Sequence, residues 1–527
     1  MRIKGLWLPL GIELLPRILV TTLIASVAAC VGCNSQTASD GADGPLVIAL
    51  QSDPTSLDPR LATDAMSSRV IDLLFNGLFC SDKRGHLTPD LVESYEVQGE
   101  TAYIFKLRRG VFFSNGAELT ATDVKFTIDS ILDPAIGSRK RASFKNVAVI
   151  ETLDRYSVTI WLKKPQASFL ESLKIGIVPR EYAEKVGETF ASRPVGSGPF
   201  KLVGWEKGSR IQLCRNEHYF RGPTPIHDIT CKIVPDTSTR LLELRKGSVD
   251  FVQNDIPPEL VRSFEQDGRF TVETSPSSTY KYIGINLKHP ILSRREVRQA
   301  LAHAIDRTAI IDHLLLGQAT PASGLLCPSN QFYVPDLATY EYDPELAMRM
   351  LDGAGLPRDR QTGRRFAITF KTSKDEQSNQ IAQIIQQQLE NVGVKVEIKS
   401  LEWATFYNDI ISGSFDVYSL TWVGVTDPDF FYDAFHSKSA PPNGVNRGHF
   451  SNPEVDRLTE QGRCELDAAK RFETYRQVQR VLTEELPYIP LWYPYNVAIM
   501  TKRLTGFELY PAGDFKSFET AQLANAG

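Results

Sequence analysis

The sequence predicts an α/β protein of more than one domain. Three observations carry this. The segment from Phe366 to Trp422 reads strand, helix, strand, helix, strand, the rhythm of a mostly parallel sheet with right-handed crossovers. A chain of 527 residues exceeds what one ordinary core organises, so two or three domains are expected. With 42% hydrophobic and 23% charged residues and a mean hydropathy of −0.21, the composition is that of a globular protein in water.

The elements follow in order. Leu46 to Asp53 is an apolar run entering a polar turn, hence a buried strand and its loop. Ser67 to Phe79 has apolar residues at helical spacing. Ala102 to Phe113 alternates like a half-buried strand. Thr120 and Asp123 are spaced as a capping box, which predicts a helix through Leu132. Ser157 to Pro165 is a strand stopped by its proline. Ser293 and Glu296 open one long helix that closes at Gly317. Asp343-Pro344 and Asn452-Pro453 pair an N-cap with a proline, and each starts a helix. Strands are then expected over Phe366 to Lys371, Val394 to Leu401 and Phe415 to Trp422. Helices over Glu376 to Gly393 and Glu402 to Gly413 lie between them.

The N-terminus is set apart. Arg2, Lys4 and Arg17 precede a short apolar run, Ile18 to Cys30, which is too short to span a bilayer and reads as an export signal. Val27-Ala28-Ala29-Cys30 resembles a bacterial lipobox. That resemblance implies that Cys30, or alternatively Cys33, is lipidated and anchors the chain to a membrane. Residues 31–44 are polar and glycine-rich, a flexible tether. Cys80, Cys214, Cys231, Cys327 and Cys464 remain. They are odd in number and contain no C-x-x-C pair, so neither a disulfide framework nor a zinc site is expected.

The chemistry is largely exclusion. A net charge of −4 leaves no basic footprint for nucleic acid. No G-x-S-x-G elbow, H-E-x-x-H, Walker A or G-x-G-x-x-G string occurs, and the eight histidines show no metal-ligand spacing. No catalytic residue, metal or cofactor is therefore assigned. One stretch stands out: T-W-V-G-V-T-D-P-D-F-F, Thr421 to Phe431. It follows the last strand of the α/β rhythm, and open α/β sheets bind ligands beyond the carboxyl ends of their strands. Its aromatics offer apolar contact area, and Pro428 stiffens the loop. A glycosidase needs two carboxyls roughly 5 to 9.5 Å apart across a sugar bond. Asp427 and Asp429 are close in sequence for that, and Asp427, Asp429 and Asp433 lack the alternation of a calcium loop. A cleft wall is the preferred reading. A secreted hydrolase using Asp427 or Asp429 stays the reading from another class.

Several blocks share one likeness. Leu87 to Pro134, Val195 to Phe220, Arg295 to Ile311, Glu402 to Trp422 with Asp427 to Phe431, and Leu486 to Tyr495 resemble, in order, the extracellular solute-binding proteins of family 5, the oligopeptide- and dipeptide-binding proteins of bacterial ABC importers. The resemblance covers about Leu46 to about Leu509. It implies a two-lobed periplasmic-binding-protein fold with a hinge, closing like a flytrap. Lobe I would comprise 45–78, 194–275 and 497–527. An α+β domain over 79–193 would pack on it, and lobe II would run over 276–496. The implied function is a monomeric, membrane-anchored receptor on the periplasmic side, delivering short peptides to ABC permease subunits. Other solutes, such as a nickel chelate or an oligosaccharide, stay open.

The resemblance also implies site residues. Trp403 and Trp422 match cleft tryptophans, Tyr282 and Tyr493 pocket tyrosines, and Ser52 lies in a ligand-contacting loop. Arg447 is added for its chemistry, since a guanidinium suits a ligand carboxylate. Peptide-binding members hold the ligand's amine with an aspartate three positions after the cleft tryptophan. Here that position is Val425. Either Asp427 or Asp429 replaces it after a shift, or the ligand lacks a free amine.

Overall fold

The structure is a computed structural model that describes residues 44–442 and 444–524. The expected leader (1–30, with Cys30) and all but the last residue of the expected tether (31–44, with Cys33) lie outside the described residues.

One sheet of twelve strands runs through both lobes. Along it stand Val394–Leu401, Phe366–Ser373, Val417–Trp422, Tyr280–Ile285, Tyr488–Thr501, Phe251–Gln253, Leu46–Leu50, Asp228–Ile233, Arg210–Arg215 and Phe200–Glu206. The joint is the 14-residue strand Tyr488–Thr501. Its first half pairs with Tyr280–Ile285 and Ala319–Pro321, its second half with Phe251–Gln253 and Phe270–Pro276. A second crossing is made where Phe270–Pro276 passes through Ser277-Ser278-Thr279 into Tyr280–Ile285. Both crossings are hydrogen-bonded: Ser277 Oγ donates to the Pro494 carbonyl at 2.5 Å, and the Ser278 N–H to that of Pro511 at 2.9 Å. This pair of crossings is the hinge between the lobes.

Alternation along the through-strand sorts side chains into separate cores. Ala498 and Met500 join Leu46, Ile48, Phe200, Phe251 and Phe518, while Val497 and Ile499 join Val249, Val252 and Phe264 on the other face. In the second lobe Ile489, Leu491 and Trp492 pack with Val297, Ile368 and Ile385, and Tyr488 and Tyr493 with Tyr282, Tyr418 and Phe431, because a register shift against Tyr280–Ile285 breaks the alternation there. A four-stranded sheet, Val92–Gln98, Ala102–Leu107, Ser157–Leu162 and Val147–Asp154, packs with helix Ala121–Leu132 into a core of its own. Val195 and Phe220 also pack against that core, while Val178, Ala183 and Phe190 pack into the first lobe.

Most elements stand where the pattern puts them, including the capped helices Pro344–Gly353 and Pro453–Cys464. Three expectations are corrected. The helix expected through Phe79 is Ala65–Leu74. Beyond it Gly77 lies so close to the Lys174 backbone that a Cβ would come within 2.6 Å of its carbonyl oxygen. The strand expected to Phe113 stops at Leu107. The single helix over 293–317 is two, Arg295–His303 and Arg307–His313, because Asp306 caps the second by accepting from the Ala309 N–H at 2.9 Å. Ser293 forms no capping box there: Arg294 occupies the N-cap, and the Ser293 hydroxyl donates to the Pro290 carbonyl.

Gly284 carries a sharp packing constraint. A Cβ there would lie 2.3 Å from Cζ of Tyr418 on the neighbouring strand. Gly284→Ala is expected to destabilise the protein by about 1–3 kcal/mol, the scale of an overpacked core. Urea unfolding would measure it, with Gly268→Ala, which meets nothing within 4 Å, as the control.

Candidate binding cleft at the sheet edge of lobe II

The parallel strands Phe366–Ser373, Val394–Leu401 and Val417–Trp422 end on one edge of the sheet. The antiparallel strand Tyr280–Ile285 begins there, with Tyr280 opposite Trp422 and Gly284 opposite Tyr418. Alternation in Y-K-Y-I-G-I and V-Y-S-L-T-W puts Tyr280, Tyr282, Tyr418 and Trp422 on one face, and Gly284 leaves room for the Tyr418 ring. Tyr282 sits at the centre. Its ring stacks on Tyr280 at 5.5 Å, Trp422 at 5.9 Å and Tyr488 at 4.2 Å, and meets Tyr418 edge-on at 6.0 Å. Helix Trp403–Ile411 adds Trp403, 58% exposed, stacked on Tyr407 at 5.6 Å.

Arg447 completes the group. It lies in the turn Asn446-Arg447-Gly448. Asn446 pins that turn, accepting from the Phe450 N–H at 2.9 Å and donating to the His436 carbonyl at 3.1 Å. Gly448 lets the chain approach the Ile285 carbonyl, which a Cβ would meet at 2.5 Å. The guanidinium lies 4.5 Å from the Trp422 ring centre and 5.3 Å from that of Tyr407. It donates to the Tyr407 hydroxyl at 3.2 Å and lies 3.5 Å from that of Tyr282. Arg447 is 5% exposed, and among the described residues no carboxylate lies within 4 Å of it.

The two aspartates of the loop are already engaged. Asp427 takes a bidentate pair from Arg471 at 2.7 and 3.1 Å and accepts from the Asp429 N–H at 2.7 Å. Asp429 pairs with Arg463 at 2.8 Å and accepts from the Ser168 hydroxyl at 3.0 Å. Burial pushes its carboxyl up, and Arg463 opposes that shift. Val425, 6% exposed, packs into the aromatic core, and its N–H donates to the Ser278 carbonyl at 3.2 Å. The loop is thus bonded to the hinge.

Two expected site residues stand apart from the open edge. Tyr493 is buried, with its hydroxyl 2.7 Å from both the Gly324 and Leu326 carbonyls, so it ties down a loop. Ser52 is exposed in the first lobe, in the loop after Leu46–Leu50, where neighbouring Asp53 is bonded to the Trp205 indole and the Gly208 N–H. Tyr407, Tyr418 and Tyr488 escaped the sequence reading. The strand alternation carried the signal for Tyr418 alone.

Away from the hinge, the hydrogen bonds between the additional domain and lobe II fall, among the described residues, at one patch. The Ala167 N–H donates to the Arg463 carbonyl at 2.8 Å, beside the Ser168–Asp429 bond. Asp427→Asn is expected to destabilise the fold by about 2–4 kcal/mol, since Arg471 would stay buried without its partner. Ser168→Ala, which removes only the bridge between domains, is expected to change stability by about 1 kcal/mol or less while raising the ligand off-rate. Unfolding curves and stopped-flow release would read the two.

The comparisons agree with this architecture. The family profile described as bacterial extracellular solute-binding proteins, family 5 Middle, matches residues 86–443. The oligopeptide-binding protein AppA of Bacillus subtilis (strain 168) is 29% identical over 529 residues, covering 94% of this chain and 96% of its own. The glutathione-binding protein GsiB of Escherichia coli is 31% identical over 491 residues, covering 91% and 94%. The solved structure of NikA from Brucella suis in complex with Fe(III)-EDTA superposes with a TM-score of 0.84 at 25% identity, covering 92% of this chain and all of that one. Fold, hinge and extent of match together place this chain in family 5 of the bacterial extracellular solute-binding proteins.

Proposed function

We propose that this chain is the receptor of an ABC importer, binding short peptides or peptide-like solutes between its lobes and delivering them to membrane permease subunits. The observation that carries the reading is the aromatic group on the cleft edge, Tyr282, Trp403, Tyr407 and Trp422 around Arg447, on a lobe joined to the other by a two-strand hinge. Rigid aromatic faces contribute contact area at low entropic cost, and a hinged pair of lobes turns binding into closure. Ligand shifts the open–closed equilibrium, and the closed form docks on the permease.

Lobe I is assigned to 45–78, 194–275 and 497–527, joined by the segment after Ile177. The additional domain covers 79–177, and lobe II covers 276–496. Ser52, Trp403, Trp422 and Arg447 are assigned to ligand contact, with Tyr282 as the support behind them. The receptor acts as a monomer, anchored through Cys30 or Cys33 on the periplasmic side. It performs no chemistry, which the ion pairs of Asp427 and Asp429 favour over a hydrolase. A chelate or another anionic solute is the second reading. It is favoured by Arg447, which among the described residues has no carboxylate within 4 Å, and by the Fe(III)-EDTA held by NikA.

Native mass spectrometry of the protein purified from its own cell envelope tests the choice. A ladder of peptide masses released on denaturation is the expected result. A single non-peptide mass removes the peptide assignment, and turnover of the bound species removes the receptor assignment. Trp422→Ala is expected to weaken binding by about tenfold to a hundredfold, the scale of a central aromatic anchor, as read by titration calorimetry.

A further inference from the structure

We infer that the cleft is built for an anionic ligand without a free amine, gripped through its carboxylate by the donors gathered around Arg447. The inference rests on the receptor reading above and narrows it to a substrate class.

The argument is one of unmatched charge. A guanidinium stays charged at any physiological pH, and a charge removed from water ordinarily has an opposite partner. Arg447 is 5% exposed, and its neighbours are rings and hydroxyls. Those hydroxyls supply no negative charge, because burial pushes Tyr282, Tyr418 and Tyr488 above the ordinary tyrosine value. Among the described residues, the hydroxyls of Tyr418 and Tyr488 and the indole N–H of Trp422 are buried without a hydrogen-bond partner. An indole N–H can only donate, and a protonated phenol donates readily to an oxyanion. A planar fork beside unpaired donors is matched to the two oxygens of a carboxylate. The group is open on one side, where Trp403 is 58% and Val423 is 68% exposed.

Among the described residues, an ammonium finds no unpaired buried aspartate on this loop. Position 425 is a buried valine. Asp427 is held by Arg471 and Asp429 by Arg463, and the carboxyl of Asp433, an exposed residue, is pushed up by desolvation and by Asp429, with Arg463 opposing that shift. A ligand amine at this loop would meet two carboxylates already paired with guanidinia. The class that fits is an acid whose amine is absent, acylated or cyclised.

Calorimetric titration with Ala-Ala-Ala, its N-acetyl form and its C-terminal amide reads the two ends separately. The expected result is that acetylation changes Kd by less than about threefold, whereas amidation weakens binding by about thirtyfold, the scale of a lost charge-assisted hydrogen bond. Arg447→Gln should erase the penalty for amidation. Where that variant melts early, Tyr407→Phe, which removes the hydroxyl bonded to the guanidinium, should reduce it. Acetylation that weakens binding tenfold or more, or an amidation penalty unchanged in the variants, overturns the inference and leaves the receptor reading standing. If none of the three probes binds, the natively co-purified ligand decides. An acid that takes up no amine-reactive label upholds the inference, and its mass tells an end-blocked peptide from a non-peptide acid. A ligand that takes up the label, or a chain that carries no acid, overturns it.

Discussion

Everything else in this molecule depends on one shared strand. Tyr488–Thr501 contributes hydrogen bonds to both lobes without interruption, so the two halves are one sheet before they are two bodies. A strand keeps a two-residue side-chain period until a bulge resets it. In the first lobe that period buries Ala498 and Met500 on one face and Val497 and Ile499 on the other, and a register shift against Tyr280–Ile285 resets it in the second, where Leu491 and Trp492 share a core. Slipping the register by one residue would exchange the two packed faces of the first lobe. The hinge cannot be a slack linker under that constraint. Motion between the lobes has to be a bend and twist of a hydrogen-bonded ribbon, which favours a few defined arrangements over a continuum.

Charge placement follows a second rule. Deep in the protein, charges occur with partners. Asp427 and Arg471, Asp429 and Arg463, and Lys371 and Asp409 at 2.6 Å are all matched. Pairing of this kind adds little net stability, because desolvation offsets most of the attraction, but losing one partner is severe. The loop after Trp422 is thus held in shape by two arginines from helices Pro453–Cys464 and Ala468–Glu485. Buried Arg307 is held instead by the Pro490 and Tyr340 carbonyls, and Arg447 differs from all of these in having aromatic faces and hydroxyls around it. Cation–π contact of about 0.5–2 kcal/mol offsets part of its desolvation.

How much of this was legible in the sequence depends on whether the deciding physics is local. Capping residues such as Asp343 and Asn452, the alternation in Val394–Leu401 and the strand–helix rhythm act within a few positions, and the elements formed there. The break at Asp306 was also local, but helical spacing on both sides hid it. The placement of Trp422 at the sheet edge followed from topology. The partners of Asp427 and Asp429 did not. Arg471 is 44 residues from Asp427, and Ser168 is 261 from Asp429, and no periodicity links them. Tyr493 resembled a pocket residue by position, while its hydroxyl is held by two carbonyls of a loop near residue 325.

The bond from the Val425 N–H to the Ser278 carbonyl has a mechanical meaning. It fastens the loop beside the cleft to the crossover segment, close to the axis about which the lobes turn. A contact near a pivot has a short lever arm, so it moves little during closure but feels the torque. The loop and the hinge should then answer as one part. Changes at Ser277 or Ser278 would alter affinity as changes in the cleft do, and the distinction between a pocket residue and a hinge residue loses its meaning along this stretch of chain.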